Sequence, residues 1–202
     1  HQARLFPWIP FYKETLNSKG NPMRSIYKKK KIKSFSLPVT SELYLKSDFE
    51  IDMYDQIKES VLLGDGASKY SDLPYYILKK YFENKNAKDY NDLVQETIFN
   101  PLGLDRITYR PLKRFLKEEI VPSEVDTYFR HTELDGYVHD MGAAMQGGVG
   151  GHAGLFGDAY SVASIMQMYL NGGSYNGVDL LKSEVINTFN NCYYCDKGSR
   201  RG

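Results

Sequence analysis

Lys69-Tyr70-Ser71-Asp72-Leu73 opens the most informative stretch of this 202-residue chain. A tyrosine, a small polar residue and an acid stand directly ahead of a helical pattern in which Leu73, Tyr76, Ile77, Lys80 and Tyr81 trace one stripe. Ser71 or Asp72 suits the N-cap, because a short side-chain oxygen can accept from the orphan amides of a first turn. Pro74 is tolerated there, having no amide to lose. Further on, Tyr90 to Phe99 forms a second amphipathic pattern (Leu93, Val94, Thr97, Ile98) that Asn100-Pro101-Leu102-Gly103-Leu104 stops.

Outward from these two helices the texture changes several times. Phe6, Pro7, Trp8, Pro10, Phe11 and Tyr12 are too Pro-rich for a helix at the start but aromatic enough to be packed. Asn17 to Ser34 is polar and ends in Lys28 to Lys31 and Lys33, which reads as a solvated loop or, as the alternative, a contact for an anionic polymer. Phe35 to Phe49 alternates enough for a short strand, and Met53 to Leu63 has helical spacing. Residues 105–138 read as irregular with short extended pieces, and Arg130 to Asp140 as a structured loop packed across the helices. A helix over His139 to Gln146 ends at a glycine cluster, and Asp158 caps another that runs to Leu170, with Val162, Ile165, Met166, Met168 and Tyr169 as its apolar positions. Tyr175-Asn176-Gly177-Val178 carries the Asn-Gly signature of a tight hairpin, and Leu181 to Asn190 closes the series as a helix. The tally is mostly α, with little sheet.

Composition bounds the function. Hydrophobic residues at 42% and charged residues at 25% allow a core and argue against disorder. A net charge of +1 gives no electrostatic case for nucleic acid or a membrane surface. No apolar run approaches the roughly 20 residues that span a bilayer. Cys192 and Cys195 form a lone Cys-x-x-Cys; a structural zinc would need two more ligands, so two thiols or a local disulfide is the preferred reading. His1, His131, His139 and His152 have no metal-ligand spacing, and no metal or other cofactor is expected.

Several blocks together carry a resemblance. Tyr70 to Leu104, then Gly136-Tyr137-Val138-His139-Asp140, then Gly147 to Phe156 with its Gly150-Gly151-His152-Ala153-Gly154 core, stand in the order found in serine β-lactamases of the class C, D,D-peptidase and esterase kind. His1-Gln2-Ala3-Arg4-Leu5 resembles, imperfectly, the His-Thr-Ser-Gly-Leu segment that follows the nucleophile helix in that family. The Tyr- and Lys-rich texture is similar to members fused to family 3 glycoside hydrolases that act on cell-wall amino sugars. The resemblance implies an α+β parent fold of which residues 1–202 form a single partial domain, the helical lobe. The helix with the nucleophilic serine and the C-terminal sheet strands would lie outside it. A periplasmic or cell-envelope location is implied as well.

Within that resemblance Tyr70 takes the catalytic place. A phenol with an ordinary pKa near ~10 is a poor base at neutral pH, but beside a lysine ammonium its phenolate is favoured and can shuttle a proton to a leaving group. With seventeen tyrosines in the chain, an isolated one would more simply be a buried ring capping a turn; position within the motif favours the functional role. Asp72 stands where the family more often has asparagine. An ionised carboxylate only accepts hydrogen bonds, which weakens the case for β-lactamase activity itself, and a plain helix-cap role is compatible with either view. Ser71 shapes the junction, and Gly150, Gly151 and His152 are expected at the substrate pocket, their glycines permitting close backbone packing beneath it.

The nucleophile is the missing part. Ser25-Ile26-Tyr27-Lys28 is the one Ser-x-x-Lys match, but fifteen serines and eighteen lysines give roughly one by chance. It lies downstream of His1 to Leu5 in a solvated stretch that cannot desolvate a lysine base. His152-Ala153-Gly154 imitates a Lys/His-Thr-Gly strand without the hydroxyl. The expectation is a piece of a serine hydrolase that transfers an acyl group to water from an amide, peptide or ester, itself inactive. The alternative is a non-catalytic, hydrolase-derived module that binds cell-wall fragments or a protein partner. An unburied apolar face near Tyr70 and Gly147 to Phe156, with self-association through it, would follow from a cut domain.

Overall fold

The computed structural model describes residues 3–64, 69–193 and 195–197; His1 and Gln2 of the first block lie outside them. The aromatic N-terminal stretch packs as expected: Phe11 to Thr15 wind into a 3-10 helix with Phe11 almost fully buried. The lysine-rich stretch is less uniform than a solvated loop. Tyr27 and Lys28 form β1, and Tyr27 is buried, its hydroxyl 2.8 Å from Thr15 Oγ1. β1 is one edge of a three-stranded antiparallel sheet with β2 (Leu37–Thr40) and β3 (Leu43–Leu45), in the order β1-β3-β2.

Helices α1 (Phe49–Glu59) and α2 (Leu73–Asn86) follow. α3 (Tyr90–Val94) continues through a wider π turn over Gln95–Phe99, and the Pro101 and Gly103 turn then ends it. The middle of the chain is irregular, with β4 (Ile107–Thr108) and an antiparallel pair, β5 (Glu124–Asp126) and β6 (Thr132–Leu134). α4 (Met141–Met145) precedes the glycine cluster, and β7 (Phe156–Gly157) returns to pair with β4. α5 (Ala159–Leu170) starts at Asp158, whose carboxylate accepts from the Ser161 amide at 2.8 Å. β8 (Ser174–Tyr175) and β9 (Val178–Asp179) make the tight hairpin, with Asn176 and Gly177 at φ of 49° and 79°. α6 (Ser183–Asn190) starts two residues later than the sequence suggests. Cys192 and Cys195 are joined as a disulfide.

Helices therefore dominate an α+β arrangement whose described strands are two to four residues long. The principal core gathers Phe11, Tyr27, Leu45, Met53, Leu73, Tyr76, Phe129 and Met145 from the 3-10 helix, the three-stranded sheet, α1, α2, the turn between β5 and β6, and α4. A second cluster, Val94, Phe99, Leu102, Leu104, Ile107 and Met168, ties the α3 turn to α5.

Two helices bury a different face from the one their periodicity suggests. On α2 the inward residues are Leu73, Tyr76 and Lys79, while Ile77, Lys80 and Tyr81 face out. On α5 they are Ser161, Ser164 and Met168, with Val162, Met166 and Tyr169 exposed. Among the described residues no helix is long and apolar enough to cross a membrane.

Candidate functional site

The junction before α2 is held by the N-terminal segment. Ser71 Oγ donates to the Phe6 carbonyl at 2.6 Å and accepts from the Leu73 amide at 3.2 Å, so the buried hydroxyl serves both as cap and as cross-link. The Asp72 amide donates to the Pro7 carbonyl at 3.0 Å. The Asp72 side chain makes no cap bond. Its Oδ1 instead accepts the Tyr70 hydroxyl at 2.7 Å, and Tyr70 is 59% exposed. The short polar residues so divide the labour: Ser71 closes the helix end, and Asp72 is left to orient a surface phenol.

Gly151 and His152 pack against the first turn of α2, with Gly150 buried beside them. The Gly150 carbonyl accepts from the Tyr109 hydroxyl at 3.0 Å. A Cβ on Gly151 would stand 2.3 Å from the Tyr75 carbonyl, so only glycine lets the loop reach the first turn of α2. His152 stacks on Tyr76 with ring centroids 4.3 Å apart, and its Nε2 lies 3.0 Å from Asp140 Oδ1. The same oxygen accepts from the Ala143 amide at 2.7 Å, capping α4. Burial pushes the Asp140 carboxyl up, but the hydrogen bonds from His152 and the Ala143 amide outweigh it, and the pKa lies below the usual aspartate value. Tyr76 moves the other way: burial, then the carboxylates of Asp140 and Asp72, push its phenol far above the ordinary range.

A polar group absent from the sequence reading completes the surroundings. Lys79 turns into the interior of the helical layer and donates to Glu50 Oε1 at 2.7 Å and Gln146 Oε1 at 3.0 Å. It joins α1, α2 and the end of α4 at one point. Its signal in sequence is faint, since its partners are 29 and 67 residues away. Ser25, the decoy nucleophile, is exposed on a turn, and Lys28 lies on a strand with its ammonium over the Phe35 ring. Nothing there buries a lysine base. Chemically the site offers an exposed phenol donating to a carboxylate acceptor held at a helix start.

The fold and this junction define a helix-rich α+β protein that presents a tyrosine–carboxylate pair at a helix N-terminus. No family model matches the chain. Relatives named as D-alanyl-D-alanine carboxypeptidases, from Salmonella agona (strain SL483) and Salmonella typhi, are each 36% identical over 149 residues, 67% of this chain and 34% of theirs. The chain thus spans about a third of the length of these curated relatives. Among solved structures, the octameric penicillin-binding protein homologue from Pyrococcus abyssi aligns over 72% of this chain and 30% of its own, with 18% identity and a TM-score of 0.47. The chain belongs to the penicillin-recognising serine hydrolase family.

Proposed function

We propose that this chain is the helical-lobe portion of a D-alanyl-D-alanine carboxypeptidase-like hydrolase acting on cell-wall-related amide, peptide or ester bonds. In this reading residues 1–202 are one partial domain, and the nucleophilic serine, its lysine and the oxyanion-hole strand come from further parts of the parent protein. The serine oxygen adds to the substrate carbonyl, and Tyr70 passes its proton to the leaving amine or alcohol. Water then cleaves the acyl-serine ester by the same route in reverse. Asp72 holds the phenol, Ser71 holds the helix start, and Gly150, Gly151 and His152 support the pocket from behind. The observation that carries the reading is the exposed Tyr70 hydroxyl on Asp72 at the start of α2, in a chain 36% identical over 149 residues to relatives named for D-alanyl-D-alanine carboxypeptidase. A disulfide at Cys192–Cys195 suits a cell-envelope location, where oxidising conditions let such bonds persist.

The test uses the longest natural protein that contains this sequence. It should release D-alanine from a D-alanyl-D-alanine peptide or hydrolyse an activated ester, and bind a fluorescent penicillin covalently. Tyr70→Phe should lower turnover by about a hundredfold or more with the far-UV spectrum unchanged, since a positioned acid/base contributes on that order. Turnover equal to wild type would reduce Tyr70 to a structural role. The 202-residue chain alone should form no penicillin adduct; a labelled tryptic peptide containing Ser25 would overturn that part. Complete absence of adduct and turnover in the parent protein would favour the binding-module alternative.

A further inference from the structure

The lysine-rich stretch has no part in the reading above, yet it forms one wall of a cleft. The cleft encloses about 890 Å³ between the segment that leads into β1, the β2–β3 turn and the strand β6. That size falls within the roughly 300–1,000 Å³ of ligand sites. Its frame is tied across at three points. His131 Nε2 meets the Gly20 carbonyl at 3.0 Å, Lys117 pairs with Asp135 at 3.1 Å, and Arg130 is held by Asp126 at 2.7 Å. The other charges of the lining are uncommitted. Arg24, Lys28 and Lys29 on the first wall, Glu42 on the β2–β3 turn and Glu133 on β6 are exposed and form no ion pair with any described residue. Both signs are thus left open to a ligand. Tyr70, Ser71, Asp72, Gly150, Gly151 and His152 are all absent from the lining.

A ligand suited to these walls carries anions for the three cations and hydrogen-bond donors for the two carboxylates, which can only accept. An acidic peptide supplies the anions, but its donors are confined to the backbone amides. A carboxylated sugar bears hydroxyl donors on the same ring as its carboxylate and meets both demands. Single exposed ion pairs are weak, so several must act together, and a chain of such sugars presents its charges in series. We propose that this cleft is a binding site for a carboxylated glycan, with Arg24, Lys28 and Lys29 engaging its carboxylates and Glu42 and Glu133 accepting from its hydroxyls. The proposal concerns binding alone and does not depend on the role of Tyr70.

The test titrates the 202-residue chain, by calorimetry, with a short oligogalacturonate, its methyl ester and a poly-glutamate of similar length. Oligogalacturonate should bind more tightly than the other two, and its binding should weaken as salt rises. Arg24→Gln with Lys28→Gln and Lys29→Gln should weaken it about tenfold, since each exposed pair contributes a factor of about two to five. Lys58→Gln with Lys85→Gln and Lys182→Gln makes the same charge change outside the lining and should alter binding less than about twofold. Glu42→Ala with Glu133→Ala removes two negative charges, which a merely positive surface would answer with tighter binding. Loss of two hydroxyl acceptors should weaken it instead. All these side chains are exposed, and circular dichroism should show every variant folded. Poly-glutamate binding as well as oligogalacturonate would assign the cleft to acidic peptides and overturn the proposal. So would absent oligogalacturonate binding, tighter binding by the glutamate variant, or an equal loss in the control variant. None of these outcomes touches the hydrolase reading, which stands or falls with turnover of the parent protein.

Discussion

Removing the guanidinium of Arg130 would strand the most thoroughly enclosed charge in the described residues. Its Nε donates to Asp126 Oδ2 at 2.7 Å, and its two terminal nitrogens to the carbonyls of Val138 and His139 at 2.7 and 2.6 Å, with both side chains wholly buried. Asp126 Oδ1 also accepts the Tyr128 and Phe129 amides at 3.1 and 2.8 Å. One ion pair so closes the turn between β5 and β6 and ties it to the residues leading into Asp140. Breaking a buried pair from one side leaves an unpaired charge, and Arg130→Met should cost about 3–5 kcal/mol of unfolding free energy by urea titration. A loss below about 1 kcal/mol would mean that the site hydrates or rearranges.

The same pair sets an acid response. Burial pushes the Asp126 carboxyl up, but the Arg130 hydrogen bond, the two amides and the Arg130 charge pull it further down, for a net lowering. A carboxyl with a lowered folded pKa adds stability that is complete above its unfolded value of about 3.9 and is lost as pH falls through the folded value. Wild-type stability should therefore fall with acid in that window. Asp126→Asn, with no carboxyl to titrate there, should show a shallower acid slope in urea midpoints measured across it.

Among elements, the contact of α4 with α2 is the tightest to test. Gly142→Ala forces a Cβ to 1.8 Å from the Tyr76 hydroxyl and 3.1 Å from its Cζ. The single variant should melt lower, by an amount typical of overpacking, about 1–3 kcal/mol. Gly142→Ala with Tyr76→Phe removes the worse collision and should regain most of that stability, a non-additivity that thermal melts of the four proteins would show. Equal melting of the single and double variants would mean that α4 shifts away from α2.

What was legible at this scale follows from where the deciding forces act. The Asn176-Gly177 turn and the Asp158 cap were readable because backbone conformation and a carboxylate three residues from an amide settle them locally. The inward face of α2 was not. Tyr75, Ile77, Leu78, Tyr81 and Phe82 are also apolar, so no single stripe stands out, and Lys79 is drawn inward by partners on α1 and at the end of α4. The Tyr70–Asp72 pair could be suspected from adjacency and motif. The stack of His152 on Tyr76 joins residues 76 positions apart (152 − 76), and nothing local announces it.

For the molecule as a whole, the distribution of apolar surface is the telling feature. α5 turns Ser161 and Ser164 inward and leaves Val162, Met166, Tyr169 and Leu170 at 49%, 52%, 47% and 81% exposure, the reverse of a surface helix on a complete core. α2 exposes Ile77, Leu78, Tyr81 and Phe82 in the same way, and Phe6, Trp8, Tyr70 and Tyr75 are exposed around the junction. The Gly147 to Phe156 segment adds only Leu155 to the strongly exposed apolar residues. Burying a single large apolar side chain is worth about 1.5–3 kcal/mol, so faces of this kind favour being covered. In the parent protein the further layers proposed above would cover them. In the 202-residue chain the available cover is a second copy, and light scattering should show a dimer or larger species whose fraction rises with concentration. Val162→Lys with Met166→Lys places two charges on the outward face of α5, away from Ser161, Ser164 and Met168, and should shift the chain toward monomer without changing its circular dichroism. A wild-type chain that stays monomeric at high concentration and binds no hydrophobic dye would show that these faces tolerate water, and would count against the partial-domain reading.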